Sequence, residues 1–396
     1  MFSLFRNRKL QNMDIGFKKG STKSMLLTQT DRFSHEALFG RERTGKSSIH
    51  LLRRITHDLI CIARGEKRSI VIVEEKDPLL RGAEKQMNRL GISPAQVTIL
   101  SACNPEYDSM WNPLLEDQAP IIVSKALVAS LSVDENVRRF MERDCLWMVR
   151  LAKAFFQENV NLTHLLHLYA DPRYLANVVN QIQEIADMNR NPEWSSIVDY
   201  FNNYIFLYLN HEDKGVMVPT TYPKGHLFEG LQIVISRHET LNLDLVNLLE
   251  EILSNSQLSK TLKNTSSFRI RDVFSSSKIV FVHSSLFKRG ELLGNLFLNA
   301  FEMELYEKST FEHPCFLTVD DAGTYDLSPV EFILQRGKKY KIGVSLSFQT
   351  YSKSLLSVLN QISLITVLRL GLKGTEELLH EMDRLHSSRQ KNCGLI

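Results

Sequence analysis

The sequence predicts an α/β protein whose mainly parallel sheet is interrupted by an all-α domain. Three observations carry this reading. Short, apolar, β-branched runs such as "SIVIVEE", "CFLTVDD" and "IGVSLSFQ" read as strands buried on both faces. Helical segments alternate with them towards both ends of the chain, the rhythm of strand–helix–strand units. Between residues 116 and 264 that rhythm gives way to helical periodicity alone. The expected division is therefore an α/β core of 1–115 and 265–396 with the all-α domain, 116–264, inserted in it. At 396 residues the chain is too long for one small domain.

In order along the chain, "SHEALFG" is a strand running into a glycine loop, and "KSSIHLLRRITHDLICIA" is the helix after it. "SIVIVEE" is a strand, "LLRGAEKQMNRLG" a helix ended by Gly91, and "QVTIL" a further strand. In the inserted block Met141, Cys145, Met148, Ala152 and Phe155 mark one helix face, with Arg143, Arg150 and Lys153 on the other. "DPRYLANVVNQIQEIADM" opens on an Asp-Pro start signal, and "EWSSIVDYFNNYIFLYLN" and "LNLDLVNLLEEILSN" read as further helices. The alternation then resumes. "SKIVFVHSS" is a strand, "RGELLGNLFLNAFEMELYEK" a helix, "CFLTVDD" a strand and "SPVEFILQRG" a helix. "IGVSLSFQ" is a strand, "YSKSLLSVLNQ" a helix and "SLITVLRLG" the last strand.

Composition bounds the function classes. Hydrophobic residues at 43% and charged residues at 23% are ordinary for a globular protein. A net charge of +3 does not by itself point to nucleic acid. The opening "MFSLFRNRKL" has no long apolar run after it, so neither a signal peptide nor a membrane span is expected. The five cysteines (61, 103, 145, 315 and 393) form no CxxC pair and read as reduced, in a cytoplasmic protein.

The chemistry gathers at Gly40-x4-Gly45-Lys46-Ser47, between a predicted strand and a predicted helix. Glycines let the backbone curl so that successive N–H groups face a phosphate chain. The helix that follows directs its positive end to the same place. The segment Gly40, Arg41, Glu42, Arg43, Thr44, Gly45, Lys46, Ser47, Ser48 is the candidate binding site for ATP and Mg²⁺. Lys46 would meet the β/γ-phosphates and the Ser47 hydroxyl the metal. Arg41, Glu42 and Arg43 stand where small residues are more usual, and the two arginines can point outward while the backbone binds.

A phosphate loop needs a metal-binding carboxylate on a separate strand. "CFLTVDD" places Asp320 and Asp321 at the carboxyl end of a buried strand, where open parallel sheets bind ligands. Asp320 is expected to help hold Mg²⁺ and Asp321 to polarise the attacking water. Gln349, ending "IGVSLSFQ", is placed to sense the γ-phosphate. His164 and His167 lie three apart on a helix without a third ligand and read as an ordinary helix face, as does Glu250-Glu251.

Together these residues resemble the conjugative type IV coupling proteins of the FtsK/HerA superfamily. "DRFSHEALFGRERTGKSS" is similar to that family's Arg/x/x/His stretch running into the phosphate loop. "SIVIVEEKDPLL" resembles its next strand, with Glu74 and Lys76 at the usual Asp and Lys places and Asp77 for glycine. "WNPL" (Trp111 to Leu114) matches the Asn-Pro-Leu ahead of the family's all-α domain. "GKKYKIGVSLSFQ" resembles the late Gly-Arg-Lys-Tyr-Gly stretch, with Lys338 for arginine and Lys341 for glycine. Asp321 stands where many such ATPases have glutamate.

The resemblance implies a RecA-like P-loop ATPase that forms a hexameric ring and moves DNA through its centre. Relaxase and secretion-channel proteins would be its partners, and the membrane would be reached only through them. In such a ring an arginine from the neighbouring subunit completes the site. Arg336 and Arg369 are the candidates, both placed by the strand reading near the carboxyl side of the core. Basic clusters at Arg6, Arg8, Lys9, Lys18, Lys19 and Lys23, and at Arg336, Lys338, Lys339 and Lys341, suit a phosphate-tracking channel. The rival readings are a secretion-channel ATPase, a HerA-like DNA-processing motor, and a weakly catalytic adaptor that recruits cargo.

Overall fold

The computed structural model describes residues 12–17, 24–76, 78–131, 133–213, 215–226, 228–236, 242–262, 266–284, 291–307, 312–370, 376–378 and 380. The chain divides into two compact units, Met1–Ser109 with Phe268–Ile396, and Met110–Ser267. The first unit begins with an antiparallel pair, β1 (Asn12–Phe17) and β2 (Ser24–Thr28). It continues through the short helix α1 (Gln29–Arg32) and the strands β3 (Glu36–Phe39), β4 (Ser69–Glu74) and β5 (Val97–Ser101). The second unit carries β6 (Phe206–Tyr208), β7 (Asn210–Asp213), β8 (Val216–Pro219) and β9 (Val234–Ser236). The first then resumes with β10 (Ile279–His283), β11 (Cys315–Val319), β12 (Ile342–Phe348) and β13 (Leu364–Val367).

Seven strands of the first unit form one sheet in the order β13–β3–β12–β11–β4–β10–β5, and every pairing in it is parallel. The central strands are buried along their whole length, which is why they are apolar at consecutive rather than alternate positions. The helices α2 (Leu52–Ala63) and α3 (Pro78–Leu90) cover one region of the sheet. Leu51, Ile55, Leu59, Leu79, Leu80 and Ala83 pack there against Leu38, Ile70, Ile72 and Phe281. The helices Glu291–Glu307 and Ser328–Gly337 pack on one another and against β10 and β12 respectively.

Parallel register brings the carboxyl ends of β3, β12 and β11 to one edge. Phe348 lies opposite Phe39, and Val319 opposite Leu346. The strand that enters the glycine loop and the strand that ends in Asp320 are thus separated by one strand, the one ending in Gln349.

The second unit is helical over α4 (Ala119–Ala129), α5 (Glu135–Phe156), α6 (Leu162–Ala170), α7 (Pro172–Asn189) and α8 (Pro192–Tyr200), and again over Leu243–Ser254. Met141, Cys145, Met148 and Ala152 are buried, as the periodicity predicts. Trp111 of "WNPL" is fully buried and donates its indole N–H to Glu116 at 2.8 Å. Asn112 donates to the Val160 carbonyl at 2.8 Å and accepts from Leu114 N–H at 3.0 Å, so this tetrapeptide pins the first turn of the unit.

One expectation is corrected here. The unit is not all-α, because residues 206–236 fold as two short antiparallel pairs, β6 with β9 and β7 with β8. The run "DYFNNYIFLYLN" carries helical spacing, but α8 ends at Tyr200 and the chain turns extended at Phe206. Aromatic and β-branched residues suit the extended chain there, and Gly215 supplies the positive φ of 81° at the β7–β8 turn. The N-terminal basic cluster (Arg6, Arg8, Lys9, Lys18, Lys19 and Lys23), Asp77 and Cys393 lie outside the described residues.

Candidate nucleotide-binding site

The glycine loop leaves β3 and is anchored at both neighbours. Gly40 N–H donates to the Phe348 carbonyl at 3.1 Å, and Arg41 N–H to the Arg369 carbonyl at 2.9 Å. A Cβ at Gly40 would stand 2.7 Å from Thr44 Oγ1, and one at Gly45, where φ is 87°, would stand 2.8 Å from Ile49 Cδ1. The positive φ at Gly45 calls for glycine, and a side chain at Gly40 would push Thr44 aside. The helix starts as a π-turn, with His50 N–H bonded to the Gly45 carbonyl at 3.2 Å, and its first N–H groups face the loop's concavity.

Lys46 is only 6% exposed. Its ammonium donates to the carbonyls of Gly40 at 2.5 Å and Arg41 at 3.2 Å. It is a buried cation held by neutral oxygens, poised beneath the cradle where an anion would be favoured. Arg41, Glu42 and Arg43 are exposed, so no side chain of the charged middle fills the cradle. Arg43 adopts φ 60°, a left-handed conformation that an L side chain strains to hold.

The acids come together as expected from sequence. Asp320 is 5% exposed; burial pushes its carboxyl up, while hydrogen bonds from the Ser347 and Ser47 hydroxyls oppose that rise. Asp321 sits at φ 47°, with its N–H on Ser347 Oγ at 2.9 Å and on Asp320 Oδ1 at 3.2 Å. Its Oδ2 accepts from Gln349 Nε2 at 3.0 Å, and its Oδ1 is buried without a hydrogen-bond partner among the described residues. A cleft of ≈ 370 Å³ joins loop residues 41–48 to Lys76, Pro78 and Asp321. A second cavity of ≈ 620 Å³ lies on the other side of Asp321 and Gln349.

These residues fit a magnesium nucleotide. The Ser47 hydroxyl acts on the Asp320 carboxylate to lower it against burial, and the two supply hard oxygens of the kind that Mg²⁺ takes alongside phosphates and waters. Among the described residues no group of three or more His, Cys, Asp or Glu side chains could hold a metal.

The placements of Arg336 and Glu74 were not legible in the strand reading. Arg336 lies at the opposite end of the sheet from the loop. It ends the helix Ser328–Gly337, whose Gly337 packs against His35 ahead of β3, and its guanidinium stands over the Phe332 ring. The helix runs back against the strands, so its last turn falls at their amino ends and not on the carboxyl side. Arg369 does follow β13 at the carboxyl edge, exposed, with its carbonyl on the loop. Glu74 is fully buried and caps α3, accepting from Leu79 and Leu80 N–H at 3.0 and 2.7 Å, so it takes no part in the cleft. The sequence reading also missed Ser347, whose hydroxyl touches Asp320 and Asp321. Its signal is a serine, one of two with Ser345, inside a mainly apolar strand buried along its length. His164, stacked on Phe156 at 3.7 Å, is an aromatic packing contact.

The fold and the loop define an α/β core with the RecA-like P-loop fold. Solved structures share that fold. The bacterial conjugative coupling protein TrwBdeltaN70, in its unbound monoclinic form, matches with a TM-score of 0.54 at 12% identity, over 90% of this chain and 69% of that one. Its trigonal form in complex with sulphate matches at 0.52 and 11% identity, over 85% and 70%. TrwB in complex with ADP and Mg²⁺ matches at 0.50 and 12%, over 85% and 67%. No protein-family model and no curated protein matches the chain.

Proposed function

We propose that the protein is a P-loop ATPase of the coupling-protein kind, which hydrolyses Mg·ATP to drive DNA through a homo-oligomeric, hexameric ring. The observation that carries this is the convergence of Lys46, Ser47, Asp320, Asp321 and Gln349 at one edge of the sheet. In this reading the loop N–H groups and Lys46 bind the phosphates. Ser47 and Asp320 hold Mg²⁺, which supplies charge neutralisation on the phosphate oxygens. The free Oδ1 of Asp321 takes a hydrogen from the attacking water, and Gln349 fixes the Asp321 carboxylate for that task.

The DNA part draws support from the likeness to TrwB and from Arg336, Lys338, Lys339 and Lys341, all exposed within one turn. Four cations so placed would track a phosphate backbone without reading sequence. Relaxase and channel proteins are the proposed partners. Arg369 is the better candidate for a neighbour's site, since it stands at the carboxyl edge.

The test is ATP hydrolysis by the wild type and Lys46→Ala, with and without DNA. DNA-stimulated turnover that Lys46→Ala abolishes is the expected result. A wild type that neither binds nor hydrolyses ATP would remove the enzyme reading. Tight ATP binding without turnover would favour an adaptor, in which the Gln349 bond keeps Asp321 from water.

A further inference from the structure

The cleft contains a second lysine. Lys76 follows β4 and lines the wall opposite the glycine loop. Its Nζ donates to Glu42 Oε1 at 2.9 Å, so the pair ties strand end to loop across 34 residues of sequence. Both side chains are open to solvent, at 41% and 63% exposure. An exposed pair of this kind contributes little to stability, so the fold does not require it. It is correspondingly easy for a competing anion to break.

Charge and position say which anion. Glu42 puts a carboxylate on a loop whose N–H groups, helix end and Lys46 all favour negative ligands, and Lys76 is what neutralises it. The field of Asp321 also reaches the Lys76 ammonium, as does that of Glu75. Lys76 and Asp321 line the part of the cleft that the loop does not, whereas Lys46 is buried under the loop on the Gly40 and Arg41 carbonyls. The two lysines serve different parts of one phosphate chain.

We infer that Lys76 is a second phosphate-contacting cation, held across the cleft by Glu42 when no nucleotide is bound and transferred to the terminal phosphate when ATP enters. This rests on the reading of the cleft as a nucleotide site. Glu42 is then a competitor that the γ-phosphate displaces. A diphosphate does not reach Lys76 and leaves the Glu42 bond closed, so the pair discriminates ATP from ADP.

The experiment is a fluorescence-anisotropy titration of the full chain with fluorescent ATP and ADP in the presence of Mg²⁺. Lys76→Gln should weaken ATP about tenfold, the loss of one charge-assisted hydrogen bond, and change ADP less than about twofold. Glu42→Gln should tighten ATP several-fold. In the Glu42→Gln background Lys76→Gln should cost more than in the wild type, because nothing competes for the ammonium. If Lys46→Ala abolishes binding while Lys76→Gln leaves ATP unchanged, or weakens ATP and ADP equally, the latch is wrong and the nucleotide site stands. If the wild type binds neither nucleotide, the site reading fails and takes the latch with it.

Discussion

The Gln349 side-chain amide donates to Asp321 Oδ2 at 3.0 Å, linking the residue after β12 to the second acid after β11. That bond leaves one oxygen of Asp321 committed and the other, Oδ1, without a partner among the described residues. Strand adjacency makes the contact possible, since β11 and β12 pair in parallel from Cys315↔Ile342 to Val319↔Leu346.

Asp321→Asn should therefore lower single-turnover ATP hydrolysis by about 10²-fold or more, the usual contribution of a positioned base. Its Kd for Mg·ATP should change less than about threefold, because Asp320 and the loop remain. Gln349→Ala should lower hydrolysis by about tenfold, again with binding retained, since it acts through the orientation of Asp321. Equal loss of binding and hydrolysis in either variant would place these residues in nucleotide binding instead.

Arg41 and Arg43 should respond in opposite directions to glycine. Arg43 is held at φ 60°, where glycine removes steric strain, whereas Arg41 has no positive φ. Urea melts should find Arg43→Gly more stable than Arg41→Gly by about 1–2 kcal/mol. Serine at both positions should leave ATP affinity largely intact, because the loop backbone and the buried Lys46 remain in place. Loss of affinity in that double variant would mean the arginines touch the nucleotide.

Acid should destabilise the sheet unit through His35. This residue is 3% exposed, and burial pushes its imidazole down to about 4. Val344 N–H can only donate, so His35 Nδ1 must accept it at 3.2 Å, and the ring proton sits on Nε2, which donates to the Leu334 carbonyl at 2.9 Å. A second ring proton would face an N–H. With the folded value below the unfolded 6.5, the stabilisation is complete above pH 6.5 and is lost as pH falls towards 4. The full loss is about 3 kcal/mol. His57 and His313, also lowered by burial, add to the same slope. Denaturant melts from pH 7 to pH 4 should show it, and His35→Gln should flatten it.

Asp58 is the buried charge whose removal should cost most. It is 1% exposed and receives Arg32 through two bonds of 2.7 Å and Arg68 at 2.8 Å. Burial alone would raise its carboxyl, yet the two guanidiniums hold it below its ordinary value. Asp58→Asn leaves Arg32, which lies 3.7 Å over the Phe316 ring, without its carboxylate and leaves Arg68 with Glu66 alone. A loss of about 3–5 kcal/mol in thermal or urea unfolding is expected. A change below about 1 kcal/mol would show that water reaches the cluster.

The sequence alone determined the class of the fold and the identity of the site's chemical groups. Apolar runs, helix signals and the spacing of Gly40, Gly45, Lys46 and Ser47 are local properties, and local geometry follows from them. The acids Asp320 and Asp321 and the amide of Gln349 were legible as candidates because each follows a mainly apolar strand. Only the tertiary structure decided strand order, since strands buried on both faces look alike and carry no mark of their neighbours. It also decided that Arg336 falls at the far end of the sheet, that residues 206–236 are extended, and that Ser347 touches both acids. These depend on which segments pack together. The Glu42–Lys76 pair is the sharpest case, because two exposed charges far apart in sequence have no periodicity to announce that they meet across a cleft.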